Sequence, residues 1–250
     1  MNRTPTLPTL ARKPYNLLLP LYPRVIFVDW YGVLSKDVFW SSILNNKKHP
    51  YHQQLKDAYE DLFTQDQALI SWMKGDLTSK DIVQTLNVRL GRKYKADFLL
   101  RKLEADCRRM TINKRLYYAL QAIRSDSFVA IATDNMDCFY SQVDYHPGLR
   151  HGFDSVLCSS MLGVLKSESA TRFFGPWLSQ HRLSFSQALL VDDSEVNCRN
   201  FENAGGRSVV ATSVDRAIQG VRDWVRNERN KCSLVPRTQG HLSIGEHIAV

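Results

Sequence analysis

Four short stretches of this 250-residue chain place chemically useful side chains where apolar runs end. Asp29 follows Val25-Ile-Phe-Val and leads into Trp30-Tyr31-Gly32, so a strand would deliver a carboxylate straight into a glycine-containing turn. A second run ends Ala130-Ile-Ala-Thr133-Asp134-Asn135 and offers a hydroxyl and an amide; Gly163-Val-Leu-Lys166 supplies an ammonium. The fourth ends Leu190-Val191-Asp192-Asp193-Ser194-Glu195-Val196-Asn197, with two adjacent carboxylates. Taken singly these are bland: an Asp after a strand is ordinarily a turn or cap residue, and a loop Lys an ordinary solvated charge. As a set they combine a nucleophile, a hydrogen-bond donor, a cation that offsets negative charge and hard oxygen ligands.

Five runs have the length and β-branched content of buried parallel strands: Val25 to Val28, Phe128 to Ala132, Ser155 to Cys158, Ala188 to Val191 and Ser208 to Ala211. Helix-length stretches separate the last four, which predicts a doubly wound α/β sheet with helices on both faces. In such a sheet functional groups gather at the carboxyl ends of the strands, where all four stretches fall. The first two strands are nearly a hundred residues apart, against about 30 for a simple βαβ unit, so a domain is inserted. Residues 37–124, poor in glycine and with helical apolar spacing in Tyr59-Leu62-Phe63 and Leu99-Leu103, read as an all-helical cap. Within it Thr78 and Asp81 have the spacing of a helix start, and Gly91 that of its end. The core is then 24–36 and 125–228.

Residues 1–23 carry five of the nine prolines and read as an extended, basic leader; residues 229–250, broken by Pro236, Gly240 and Gly245, read as a loosely ordered tail. The five cysteines are scattered and form no Cys-x-x-Cys, which fits a reducing cytoplasm better than a disulfide framework or zinc knuckle. No apolar stretch approaches the roughly 18 residues of a membrane span. The formal net charge is +8, and residues 37–124 hold 16 Lys and Arg against 10 Asp and Glu, a surplus of +6. That favours an anionic partner, without choosing among nucleic acid, a membrane surface and a small phosphate ester. His49 and His52 flank Pro50, which argues against joint metal ligation; aromatics such as Trp40, Tyr51, Tyr59, Phe63 and Trp72 have the spacing of core residues as readily as of pocket walls.

In order, Asp29-x-x-Gly32-x-Leu34, then Thr133, then Ser159-Ser-x-x-Gly163-x-x-Lys166, then Asp192-Asp193-Ser194-x-x-Asn197 resemble the four motifs of the haloacid-dehalogenase-like (HAD) superfamily. The resemblance spans roughly residues 25–211. It implies a Rossmann-like core with a helical cap and a Mg²⁺-dependent phosphatase or phosphotransferase acting on a small phosphorylated substrate. By that resemblance Asp29 is the nucleophile that becomes an aspartyl-phosphate, Thr133, Asn135 and Lys166 hold the phosphoryl group, and Mg²⁺ sits among Asp29, Asp192, Asp193 and the carbonyl of Tyr31.

One departure matters. Phosphatases of the superfamily carry a second Asp two residues after the nucleophile as general acid and base, and here that place is Tyr31. An acid-base group contributes about 10²- to 10⁴-fold, so simple alkyl phosphates would be poor substrates. Asp-x-Tyr-Gly is similar to the 2-haloacid dehalogenases, which displace halide with the same Asp and need no metal. Those enzymes use an Arg about thirty residues on, whereas no Arg lies between Arg24 and Arg89, and they lack the acidic pair. Tyr31 and the basic cap also allow a non-catalytic relative that binds a phosphorylated ligand or a protein.

Overall fold

The computed structural model describes residues 24–64, 66–92, 96–125 and 127–233; the predicted leader and residues 234–250 of the predicted tail lie outside them. Five parallel strands, β1 (Val25–Val28), β2 (Phe128–Thr133), β3 (Ser155–Cys158), β4 (Ala188–Asp192) and β5 (Arg207–Val210), form one sheet in the order β3-β2-β1-β4-β5. All five predicted strands are present, within a residue at either end. Between β1 and β2 lie α1 (Ser41–Leu44), α2 (His52–Phe63), α3 (Asp66–Met73), α4 (Ser79–Arg89), α5 (Ala96–Arg109) and α6 (Lys114–Gln121). After β2 come α7 (Asp137–Gln142) and α8 (Pro147–Arg150); α9 (Ser159–Leu162) and α10 (Ala170–Gln180) link β3 to β4. Finally α11 (Glu195–Asn203) leads to β5 and α12 (Val214–Ser233) follows it.

The central strand β1 is buried on both faces, and its alternation decides which residue goes where. Val25 and Phe27 point to one side, joining Leu190, Phe173 and Phe174 of α10 and Phe201 of α11. Ile26 and Val28 point to the other, joining Leu116 and Leu120 of α6 and Val221 and Trp224 of α12. Phe27 is wedged among Phe174, Trp177 and Phe201 at ring distances of 4.8, 5.3 and 6.2 Å, the tilted and edge-on contacts that aromatic quadrupoles favour.

Helices α1–α5 pack on one another, with Trp40 and Trp72 fully buried and 6.0 Å apart. Both tryptophans therefore serve packing. His49 and His52 turn toward backbone, His52 Nδ1 lying 3.2 Å from Ile43 O and His49 Nδ1 accepting from Tyr51 N–H at 3.2 Å. Helix α4 starts at the predicted Thr78 cap, where Thr78 and Asp81 form a reciprocal capping box, and Gly91 follows with φ +68°. Helix α6 falls inside the segment 37–124 yet packs against α12, with Arg115 bonded to Asp215 at 2.5 Å. Helix α12 runs to Ser233, so residues 229–233 of the predicted loose tail are helical. Two linkers join α1–α5 to the sheet: Asn113 N–H donates to Leu34 O at 2.8 Å, and Asp37 accepts from Thr111 N–H at 2.6 Å and Thr111 Oγ1 at 2.8 Å.

Phe201 is the hub of the aromatic face, touching Phe27, Phe174 and Phe185. Phe201→Ala should cost about 3–5 kcal/mol in urea denaturation of the full chain, the usual penalty for an aromatic-sized void.

Candidate active site

The chain runs outward from β1 to β2 and β3, then crosses back to lay β4 on the other side of β1. Connections therefore diverge between β1 and β4, which opens a crevice at their carboxyl ends. The register pairs Val28 with Val191, so the next residues, Asp29 and Asp192, stand side by side. Asp29 N–H continues the ladder to Val191 O at 2.9 Å.

Two neighbouring buried carboxylates repel, and Lys166 resolves this. Its ammonium, 1 % exposed, lies 2.9 Å from Asp29 Oδ1 and 2.6 Å from Asp192 Oδ2, with the third proton on Ala132 O at 3.1 Å. Burial alone would push the Lys166 ammonium down, but the Asp29, Asp192 and Asp134 carboxylates outweigh it and the net shift is upward. Lys166 is therefore charged throughout the neutral range. Its backbone is fixed as well, since Lys166 N–H donates to Asp134 Oδ1 at 3.0 Å.

Asp192 accepts on both oxygens: Oδ1 accepts from Ser194 N–H at 2.9 Å and Asn197 Nδ2 at 3.2 Å, and Oδ2 accepts from Asn197 Nδ2 at 3.3 Å besides Lys166. Asp29 is asymmetric. Trp30 N–H at 2.8 Å and Lys166 both reach Oδ1, while Oδ2 accepts no hydrogen bond among the described residues. One oxygen is held and the other has lone pairs to give.

Asp193 completes the acidic group: Asp29, Asp192 and Asp193 each offer an oxygen within 4.8 Å of the others. Gly32 makes this approach possible. Its φ is +85°, and a Cβ there would fall 2.0 Å from Asp193 Oδ2, so both backbone and space demand glycine. Three carboxylates face one ammonium, and burial pushes the Asp29 carboxyl up to about 7, with Lys166 offsetting only part of this and Asp192 adding to it. Burial and the Asp192 charge raise Asp193 too. Surplus negative charge on hard oxygen donors is what a divalent cation such as Mg²⁺ neutralises, and these residues fit one.

Of the other predicted site residues, Thr133 and Asn135 are buried at the end of β2, where Asn135 Nδ2 donates to Thr133 Oγ1 at 3.4 Å and Asn135 Oδ1 accepts from Met136 N–H at 2.9 Å. Tyr31 is 54 % exposed at the mouth, its backbone bridged to Ser35. Asp134, Ser194 and Asn197 hold the charged groups in place but were not among the predicted site residues. Ser194 and Asn197 had a readable signal: Ser194 caps α11 by accepting from Asn197 N–H, which puts the Asn197 amide in the first turn beside Asp192. Asp134 had none, because a carboxylate beside a predicted donor reads as a turn residue.

The Asp29 shift has a sign that can be checked. Its folded pKa lies above the ordinary 3.8, so its contribution is fully present below about pH 4 and is lost as pH rises through about 7. In chelator, wild-type stability should fall between pH 4 and 7 by an amount on the order of 4 kcal/mol at most, and Asp29→Asn should remove that part of the slope. Urea midpoints across this range, compared between the two proteins, give the answer; parallel curves would contradict it.

No protein-family model and no curated protein matches the sequence. Solved structures do. A HAD family enzyme from Bacteroides thetaiotaomicron, in complex with magnesium and inorganic phosphate, is 14% identical and superposes over 74% of this chain and 92% of its own with a TM-score of 0.53. A predicted HAD-like family hydrolase from Porphyromonas gingivalis is 13% identical over 82% and 98%, with a TM-score of 0.58. L-2-haloacid dehalogenase from Xanthobacter autotrophicus is 17% identical over 77% and 80%, with a TM-score of 0.55. The sheet order, the long insertion after β1 and these superpositions agree: the chain has the haloacid-dehalogenase-like fold.

Proposed function

We propose that this protein is a Mg²⁺-dependent phosphatase or phosphotransferase acting on a small phosphorylated substrate, with Asp29 as nucleophile. The observation that carries this reading is the convergence of the Asp29, Asp192 and Asp193 carboxylates opposite a single buried ammonium. A metal-free displacement from carbon has no use for that third carboxylate.

In this reading Asp29 Oδ2 attacks phosphorus, a P–O bond to the substrate forms on the carboxylate, and the bond to the leaving oxygen breaks. Lys166 holds Oδ1 so that Oδ2 faces the substrate, and its charge offsets the repulsion between a carboxylate and a phosphate. Thr133 and Asn135 would hold phosphoryl oxygens from the neighbouring strand end. Bound among Asp29, Asp192 and Asp193, with the Tyr31 carbonyl as a further ligand, Mg²⁺ would supply charge neutralisation and orientation of the phosphoryl group. The Tyr31 phenol is a weak base at neutral pH, so the reading favours substrates whose leaving group departs without a proton, such as acyl or aryl phosphates. Helices α1–α5 form the cap over this site. Cys107, Cys138, Cys158 and Cys198, free and buried, fit a reducing cytoplasm, and no helix among the described residues is long and apolar enough to cross a membrane.

Tyr31 favours a second reading. With the Asp-x-Tyr order, Asp29 would instead displace halide from a 2-haloacid; a dehalogenase of similar fold from Xanthobacter autotrophicus carries chloropropionic acid covalently bound.

Purified protein should release phosphate from acetyl phosphate or p-nitrophenyl phosphate, lose activity in chelator and regain it with Mg²⁺. Asp29→Asn should abolish turnover, and Lys166→Ala should lower kcat by about 10²–10³-fold. Chloride release from 2-chloropropionate in chelator, with no phosphate release under any condition, would replace this reading with the second. Tight phosphate binding in calorimetry with no turnover of either substrate would leave a binding protein.

A further inference from the structure

The cap touches the core through more than its two linkers. One corner of it, residues 72–79 between α3 and α4, is bonded to the loops that carry Asn135 and Lys166. From the start of α7, the Asp137 carboxylate accepts from Trp72 Nε1 at 3.0 Å, from Ser79 N–H at 3.1 Å to each oxygen and from Ser79 Oγ at 2.5 Å. From the end of β3, the fully buried Ser159 hydroxyl donates to Met73 O at 2.6 Å and accepts from Asn135 N–H at 2.9 Å. From the turn after Lys166, Glu168 pairs with Lys74 at 2.8 Å while its other oxygen accepts from Leu165 N–H at 3.1 Å. Gly75, with φ +78°, lies flat on this surface; a Cβ there would be 2.3 Å from Ser160 O.

These contacts are unequal. The exposed Lys74–Glu168 pair is screened by solvent and weak. Asp137 is different: its loss would leave the Ser79 N–H and hydroxyl short of an acceptor within a packed interface, while Trp72 Nε1 would keep Ser79 Oγ at 3.2 Å. Ser159 is the atom-level junction, because one hydroxyl joins a cap carbonyl to the backbone of Asn135. That backbone is gripped from its other side too, Asn135 O accepting from Ser160 N–H at 3.3 Å.

We propose that the corner 72–79 is a splint for the phosphoryl-binding half of the site, and that Asp137 and Ser159 are positioning residues acting through Asn135, Thr133 and Lys166. This rests on the phosphoryl-transfer reading for its effect on rate, and on the bonds above for its effect on structure. The cap is then docked along this edge throughout the cycle, and substrate enters on the side where Tyr31 and Asp193 are exposed.

The test is hydrogen exchange on the full chain, wild type against Asp137→Ala and the milder Ser79→Ala, paired with steady-state hydrolysis of p-nitrophenyl phosphate in Mg²⁺. Exchange should rise together in residues 72–79, 133–136 and 159–166, and kcat should drop by about 10-fold or more with a smaller change in KM, since a misplacement of about 1 Å can cost 10²-fold. A rise confined to 72–79 with kcat unchanged overturns the splint, because a merely structural latch would behave so. Should Asp137→Ala fail to fold, Ser79→Ala decides by the same pattern. Should the wild type hydrolyse no phosphate ester, the proposed function falls, and the exchange comparison alone decides the splint.

Discussion

An ammonium with no access to water, held between two carboxylates on adjacent strands, sets the terms for the rest of the structure. Removing such ions from water costs several kcal/mol each, and the cost is recovered only when every proton and lone pair finds a partner. Lys166 meets that condition with three acceptors, and Asp192 with donors on both oxygens. The in-register pairing of β1 with β4 forces Asp29 and Asp192 together, so a cation is a requirement of the fold before it is a device of the chemistry. The loop bearing Lys166 must cross from the β3 edge toward the centre of the sheet to supply it, and Asp134 fixes the point where it crosses.

One ammonium does not balance the site. With Asp193 brought in over Gly32, the charge is still negative, while burial, with the Asp192 charge adding to it, holds the Asp29 carboxyl up at about 7 against the pull of Lys166. A carboxyl poised there is only partly ionised at neutral pH. A divalent ion bound among the three carboxylates would favour the ionised form of Asp29.

Lys166, beyond β3 and α9, was legible only through the order of the four motifs, whereas the five strands and the positions of Asp29, Thr133 and Asp192 were legible because short β-branched runs ending in polar residues leave a local mark in the sequence. The capping box at Thr78 and Asp81 was legible for the same reason. What escaped was non-local. Ser79 and Asp137 are 58 residues apart and Met73 and Ser159 are 86 apart, and no spacing rule joins them. Helix α6 reads as amphipathic whether its apolar face meets a cap or a sheet; only the fold shows that Leu116 and Leu120 face α12. Trp40 and Trp72 could have lined a pocket on their spacing, and packing against each other buried both.

The insertion between β1 and β2 is tolerable because its two ends leave the core side by side. The Leu34–Asn113 and Asp37–Thr111 bonds close its mouth, so the core experiences a short loop however many residues lie beyond it. Loop closure entropy grows only logarithmically with length, so such a connection lets the inserted helices diverge while β1 and β2 stay paired. A cap joined by its mouth alone would be free to vary and to move. Bonding at residues 72–79 removes that freedom on one edge, at the loops that carry Asn135 and Lys166.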